Sequence, residues 1–215
     1  MKKQTGFTLI ELAIVLVIIG LLLGGVLRGQ ELINSARVKS FTREFQNIQV
    51  YIYGYQDRFR ALPGDDPAAA THLATATQGA NPPAGNGLIN GAWDSPNVAD
   101  ESYLFWEHVR LAGLAPGSTA TGTPEFEPRN SNGGRIGVQS IAAAFNTITG
   151  MTGAYAVCSD LILGRDATQL DTTLDDGNTQ TGNLRVVATG VPGNPTPTAT
   201  ITANPAAQYT VCMAI

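Results

Sequence analysis

A chain of 215 residues with 43% hydrophobic, 14% charged and 7% aromatic side chains can build one domain with an ordinary core, which excludes a mostly disordered polymer. Its formal net charge of -4 excludes an electrostatic nucleic-acid binder, and with only two His and two Cys a zinc cluster would need an improbable set of carboxylates. The charge is unevenly spread: residues 28-60 carry six basic side chains against three acids, and from residue 61 onward five Arg face thirteen Asp or Glu. A basic segment therefore leads into an acidic one.

Phe7 to Leu27 (FTLIELAIVLVIIGLLLGGVL) is a run of 21 residues whose single charge is Glu11. As a helix it reaches roughly 31 Å, the thickness of a bilayer's hydrocarbon core. Lys2 and Lys3 precede it without an offsetting acid, so the positive-inside rule places the N-terminus in the cytoplasm and everything after residue 28 outside. A cleaved secretory signal peptide fits less well, because the run exceeds an ordinary h-region and continues as LRGQELIN with no A-x-A-like site.

The apolar pattern then changes instead of stopping. Val38, Phe41, Phe45, Ile48, Ile52, Tyr55 and Phe59 recur every three or four residues, one stripe along a helix. Tyr51, Tyr53 and Tyr55 beside it read as packing groups and not as a binding platform. No proline intervenes before Pro63, so a single helix of roughly 80 Å is predicted from about residue 7 to 60. Glu11 needs its own account, since a carboxylate inside the apolar run costs on the order of 2.5 to 3.5 kcal/mol. It either lies near the interface or pairs with a cation supplied by assembly.

Gly6, Phe7, Thr8, Leu9, Ile10, Glu11 and Leu12 (GFTLIEL), after a short basic leader, resemble the processing site of the type IV pilin and type II secretion pseudopilin family. The resemblance implies a cut between Gly6 and Phe7 by a membrane-embedded prepilin peptidase, with N-methylation of the new terminus on Phe7. It also implies that Glu11 neutralises the terminal amine of a neighbouring subunit; the chain's own Phe7 amine, one helical turn away, is the competing partner. Family filaments often unwind part of this helix near glycine, for which Gly20, Gly24, Gly25 and Gly29 are the candidate positions. The other reading of these glycines is close helix packing. The proline that many family members carry here is missing, so no fixed kink is implied.

Beyond Arg60, Pro63 and Gly64 end the long helix, and Asp66 with Pro67 reads as an N-cap and first residue of a short helix over 67-76. Residues 77-98 have loop composition, and DESYLFWEHVRLAGL predicts a helix capped at Asp100, with Leu104, Phe105, His108 and Leu111 on one face and Gly113 as the stop. After a further loop over 115-134, RIGVQSI, AYAVCSDLIL, LRVVATG and AQYTVCMAI have the content of strands. RDATQLDTTLDDG, between the second and third, places Ala167, Leu170 and Leu174 at helical spacing and ends on Gly177. The expected fold is α+β: a long N-terminal helix packed on a head with an antiparallel sheet of about four strands and short helices, as the pilin resemblance also implies. The domain reading is a leader over 1-6, a transmembrane and assembly helix over 7-27, its amphipathic half over 28-60 and a globular head over 61-215. The segments LPGDDPAAA, YLFWEHVRLAGL and LDDGNTQTGNLR also resemble a group of minor-pilin-like proteins.

Cys158 and Cys212 are the only cysteines and lie in predicted strands of an exported head, so they form a disulfide or remain two buried thiols. A C-terminal disulfide around a variable loop is also a feature the resemblance implies. No nucleophile elbow, H-E-x-x-H or phosphate-binding glycine loop is present, and His72 and His108 read as packing residues, so no enzyme is expected. No cofactor is expected either, apart from calcium, which some pseudopilins bind in the head. Its candidate oxygen ligands are Asp65 with Asp66, the Asn86, Asn90 and Asp94 loop, and Asp171, Asp175 and Asp176, with the last two ahead; none has EF-hand spacing. The Thr and Pro tract over 192-205 reads as a solvent loop. The resemblance thus implies a subunit of a type IV pilus-like filament, minor or specialised, with a secretion pseudopilin as one alternative and a membrane-tethered binding protein or adhesin as another. The implied partners are prepilin peptidase, other pilin subunits through the N-terminal helix, and the inner membrane before assembly, with no nucleic acid.

Overall fold

The computed structural model describes residues 8-80, 84-142, 148-190, 197 and 204-215. The elements in chain order are α1 (Leu9–Phe59), α2 (Ala69–His72), α3 (Glu101–Leu111), β1 (Ile136–Ser140), β2 (Tyr155–Leu163), α4 (Gly164–Leu174), β3 (Leu184–Ala188) and β4 (Gln208–Ala214), an α+β fold. The chain divides into two compact units, residues 1-39 and 40-215.

In the first unit α1 is apolar, Glu11 apart, and bare on every side from Leu9 to Leu27. Leu9, Ile14, Leu16, Leu21, Leu22 and Leu27 are each more than half exposed. The helix is long and apolar enough to cross a membrane. Such a surface is costly in water and at ease in hydrocarbon, where a helix satisfies all its own backbone groups.

In the second unit the helix becomes one-sided. Phe41, Phe45, Ile52 and Tyr55 are fully buried and Ile48 nearly so, while Val50 and Tyr53 on the other side are exposed. Tyr55 belongs to a cluster with Ala69, Leu73, Ala76 and Ala112, against which Phe59, Leu111 and Leu114 pack. The helix stops at Phe59 because Arg60 turns into the left-handed region, with φ 56°, while its N–H still reaches the Gln56 carbonyl at 2.9 Å.

The strands form one antiparallel sheet in the order β1-β2-β4-β3, so the C-terminal strand lies inside it. Val157 faces Met213 and Cys158 faces Cys212 across β2 and β4, and Val186 faces Val211 across β3 and β4. The β2 ladder breaks between Ser159 and Ile162. Leu161, at φ 55°, lies in that break. The outer edge of β1 is covered, since Ser140 donates its N–H to Ile89 and Trp93 donates to the Gln139 side chain. Gly137 makes this crossing possible: a Cβ there would overlap the Trp93 carbonyl oxygen. Helix α3 lies against β1, and α4 lies against β2, β3 and β4.

Three local expectations change. The helix expected over 67-76 shrinks to Ala69–His72, and Asp66 is not its cap; the position before the helix is Ala68. Asp100 does stand at the start of α3, but its carboxylate accepts hydrogen bonds from Ser95 and Asn97 and caps no helical N–H. Helix α3 is buried from Glu101 to Arg110 on all sides, not along one face. Its polar residues stay buried because neighbouring loops supply their partners.

Candidate functional site

The start of α1 is built by Thr8 and Glu11. The Thr8 N–H and hydroxyl both donate to Glu11 Oε2 at 2.8 Å, and the Glu11 N–H returns to the Thr8 hydroxyl at 3.3 Å. This is a capping box, with the hydroxyl residue at the cap and the acid three positions on. Its signal, T-x-x-E before an apolar run, stands in the sequence beside the reading of Glu11 as an assembly charge. The box occupies Oε2 and leaves Oε1 without a hydrogen-bond partner among the described residues. Gly6 and Phe7 lie outside the described residues.

Gly20, Gly24, Gly25 and Gly29 all sit inside the continuous α1, and nothing lies within 4 Å of the place where a Cβ would stand. Cys158 and Cys212 are joined, with Cα atoms 4.1 Å apart, as directly opposed residues of β2 and β4. Ile148, Met151, Ala156, Val187 and Ala214 bury the bridge. The loop it closes contains α4 and β3; residues 192-196 and 198-203 of the Thr and Pro tract lie outside the described residues.

Of the three candidate sets of oxygen ligands, the fold gathers one. Asp65 accepts the backbone N–H groups of Gly85, Asn86 and Gly87, and Asp66 is likewise engaged, so neither has coordination to spare. Asp94 pairs with Arg135 at 3.2 Å, while Asn90 turns to Glu101 and Asn86. Asp171, Asp175 and Asp176 do converge, each offering an oxygen within 4.8 Å of the others'. Asp175 also accepts from the Leu184 N–H, and Asp176 from the Asn178 N–H and the Thr181 hydroxyl. Asp171 is fully buried: one oxygen accepts from the Gly177 N–H, and the other, Oδ2, has no hydrogen-bond partner. Burial, and then the carboxylates of Asp176 and Asp175, push the Asp171 carboxyl up to about 6.

Two polar groupings come from residues far apart in sequence. Asp66, fully buried, takes the Tyr55 hydroxyl and His72 Nδ1 on one oxygen, each at 2.7 Å, and the Ala68 N–H on the other. Burial alone would raise its pKa, but the hydrogen bonds from His72, Tyr55 and Ala68 outweigh it and hold the carboxyl below its ordinary value. His108, also fully buried, accepts the Gly64 N–H on Nδ1 at 2.9 Å and meets the Thr77 carbonyl with Nε2 at 2.7 Å. Burial holds this imidazole below its ordinary pKa, in the neutral form that the two contacts require. Glu107 takes the Thr77 N–H and hydroxyl, and Glu101 takes the Asn90 N–H and amide. A ladder of polar residues on α3 thus pins the loops over 64-90. His72 and His108 are packing and hydrogen-bonding residues here.

Residues 1-27 match the family model described as the prokaryotic N-terminal methylation motif. No curated protein and no solved structure matches the chain. The motif, carried into a long apolar helix ahead of an α+β head with a four-stranded antiparallel sheet, supports a type IV pilin-like or pseudopilin protein with a membrane-anchoring N-terminus.

Proposed function

We propose that the chain is a structural subunit of a type IV pilus-like filament, a minor or specialised pilin cleaved after Gly6 and N-methylated at Phe7. The observation that carries this reading is the methylation motif over residues 1-27, continued by a helix whose apolar side chains are bare all round. Such a surface needs one of two environments, lipid before assembly or the helices of other subunits after it. The subunit waits in the inner membrane with its head in the periplasm, and on assembly exchanges burial in lipid for burial among neighbouring helices. Glu11 fixes register by accepting the terminal amine of a neighbour through Oε1, because an unpaired charge among packed helices is expensive. Gly20, Gly24 and Gly25 are the positions where α1 gives way if assembly stretches it.

The head holds its C-terminal strand with the Cys158–Cys212 bridge. We further propose calcium at Asp171, Asp175 and Asp176, on the strength of the buried Asp171 oxygen that has no donor. Millimolar calcium is expected to raise the melting temperature of the full chain in detergent, and Asp171→Asn to abolish the rise; an unchanged melting temperature overturns the site. A type II secretion pseudopilin is the second reading, since the same motif serves both.

Mass spectrometry of the N-terminus in inner-membrane and sheared-filament fractions tests the main reading. Methylated Phe7 in the filament fraction is the expected result. An intact Met1, or a processed chain confined to the membrane, transfers the weight to a tethered binding protein or to a pseudopilin.

A further inference from the structure

Phe59, Arg60, Asp65, Asp66, His72 and Tyr155 are among the residues that line an open cleft of about 660 Å³ at the end of α1. That volume is in the range of small-molecule sites. The two carboxylates in it are spent, Asp65 on three backbone N–H groups and Asp66 on Tyr55, His72 and Ala68. The unspent groups are cationic or donors. His72 is held by Asp66 at Nδ1 and by its stack on Phe59, with ring centroids 5.2 Å apart, and its Nε2 has no partner among the described residues. Arg58 is committed to the Ala112 carbonyl at 2.9 Å and to the Phe59 ring, whereas the guanidinium of Arg60 has no partner among the described residues. Arg60 moreover sits at φ 56°, a backbone position that glycine fills without strain, so the chain carries a long cationic side chain at the cleft where glycine would suit the backbone better.

We propose that this cleft binds a small organic carboxylate. The guanidinium of Arg60 takes the carboxylate oxygens as a fork. His72, held by Asp66 through Nδ1, presents Nε2 to the same group, and Phe59 and Tyr155 flank the organic body. The site is independent of the filament reading, since it needs neither processing nor assembly.

Calorimetric titration of the full chain in detergent with benzoate, acetate and inorganic phosphate tests it. Benzoate is expected to bind most tightly. Arg60→Gly is expected to weaken it about tenfold or more, with a melting temperature equal to or above the parent's. His72→Gln is expected to weaken it similarly. The paired readout separates loss of the ligand's partner from loss of fold, because the Gly variant relieves backbone strain while removing the cation. Benzoate binding that survives Arg60→Gly overturns the proposal. So does phosphate binding as tight as benzoate, or no heat from any of the three probes at about 20 mM.

Discussion

Glu11 is asked to do two things, and they come apart in a single pair of variants. The capping box uses its oxygen to satisfy the Thr8 N–H, a role that Gln fills as well as Glu. The proposed assembly role uses its charge, which Gln lacks. Glu11→Gln is therefore expected to leave the helix start and the processing at Gly6 intact but to reduce incorporation into sheared filaments severely. Glu11→Ala should do the same and, in addition, leave the Thr8 N–H without its acceptor at the helix start. Equal incorporation of parent and Gln variant, measured by immunoblot of sheared fibres, would show that what matters at Glu11 is the cap and not the charge. The cap has its signal in T-x-x-E, and the proposed assembly charge is compatible with it because the carboxylate has two oxygens. Asp66 shows the opposite limit. Its local context, Asp before Pro, reads as a helix cap, whereas its partners are Tyr55 on the buried stripe of α1 and His72 beyond the turn. Local pattern cannot announce a hydrogen bond that exists only once two elements have packed.

Helix α3 raises that difficulty to the scale of an element. The strands were legible because β-branched runs bounded by Gly and Pro state their own conformation, and β1, β2, β3 and β4 all fall where those runs stand. The start and length of α3 were legible too, but its burial on every side was not, because Glu101, Glu107 and Arg110 look like a solvated face, whereas His108 reads with the apolar one. Their partners are N–H and carbonyl groups of loops up to 44 residues away. The ladder gives the head a dependence on pH. Burial, and the adjacent Asp65 carboxylate, push Glu101 up to about 7 against the hydrogen bonds from Asn90 that lower it. Between the ordinary value of 4.5 and about 7, the folded chain holds a proton that the unfolded chain has released. The stability that this proton contributes is complete below 4.5 and is lost as pH rises through about 7. His108 acts in the other direction: its folded pKa is depressed, so its contribution is lost as pH falls below the ordinary 6.5. Glu101→Gln imitates the protonated acid, keeps an acceptor for Asn90 and offers Asp65 a donor. Thermal melts of the full chain in detergent should show the Gln variant level with the parent near pH 5 and more stable at pH 8. A constant difference between the two across that span would remove Glu101 from the account.

At the scale of the whole molecule, the second unit depends on a strand that arrives last in sequence. β4 is bonded to β2 on one side and β3 on the other, so β3 has no sheet to join until the C-terminus is in place. The bridge from Cys158 to Cys212 ties that strand to β2 across a sequence separation of 54 residues. The presence of two cysteines in strands was legible, but their exact opposition in register was not, because register is set by the pairing of β2 with β4 through the bulge at Ser159 to Ile162. In the chain-entropy account, a closed loop of that length stabilises the folded state by roughly 4 kcal/mol. Replacing both cysteines by Ala removes the bridge together with two buried sulfur atoms of an apolar cluster, so lost packing adds to the lost constraint. The double variant of the full chain is expected to melt on the order of 10 °C lower than the parent, and reducing agent should lower the parent by a similar amount while leaving the variant unchanged. A fall of only about 2 °C would mean that the sheet's own pairing and the packing of α4 against it hold β4 without the covalent tie. On the proposed filament reading the same comparison reaches function, since a subunit whose head is exported and whose helix passes from membrane to filament needs β4 held whether or not a neighbour is present. The bridged chain should accordingly persist in membrane fractions treated with protease at the growth temperature, and the double variant should be cut within the head under the same treatment.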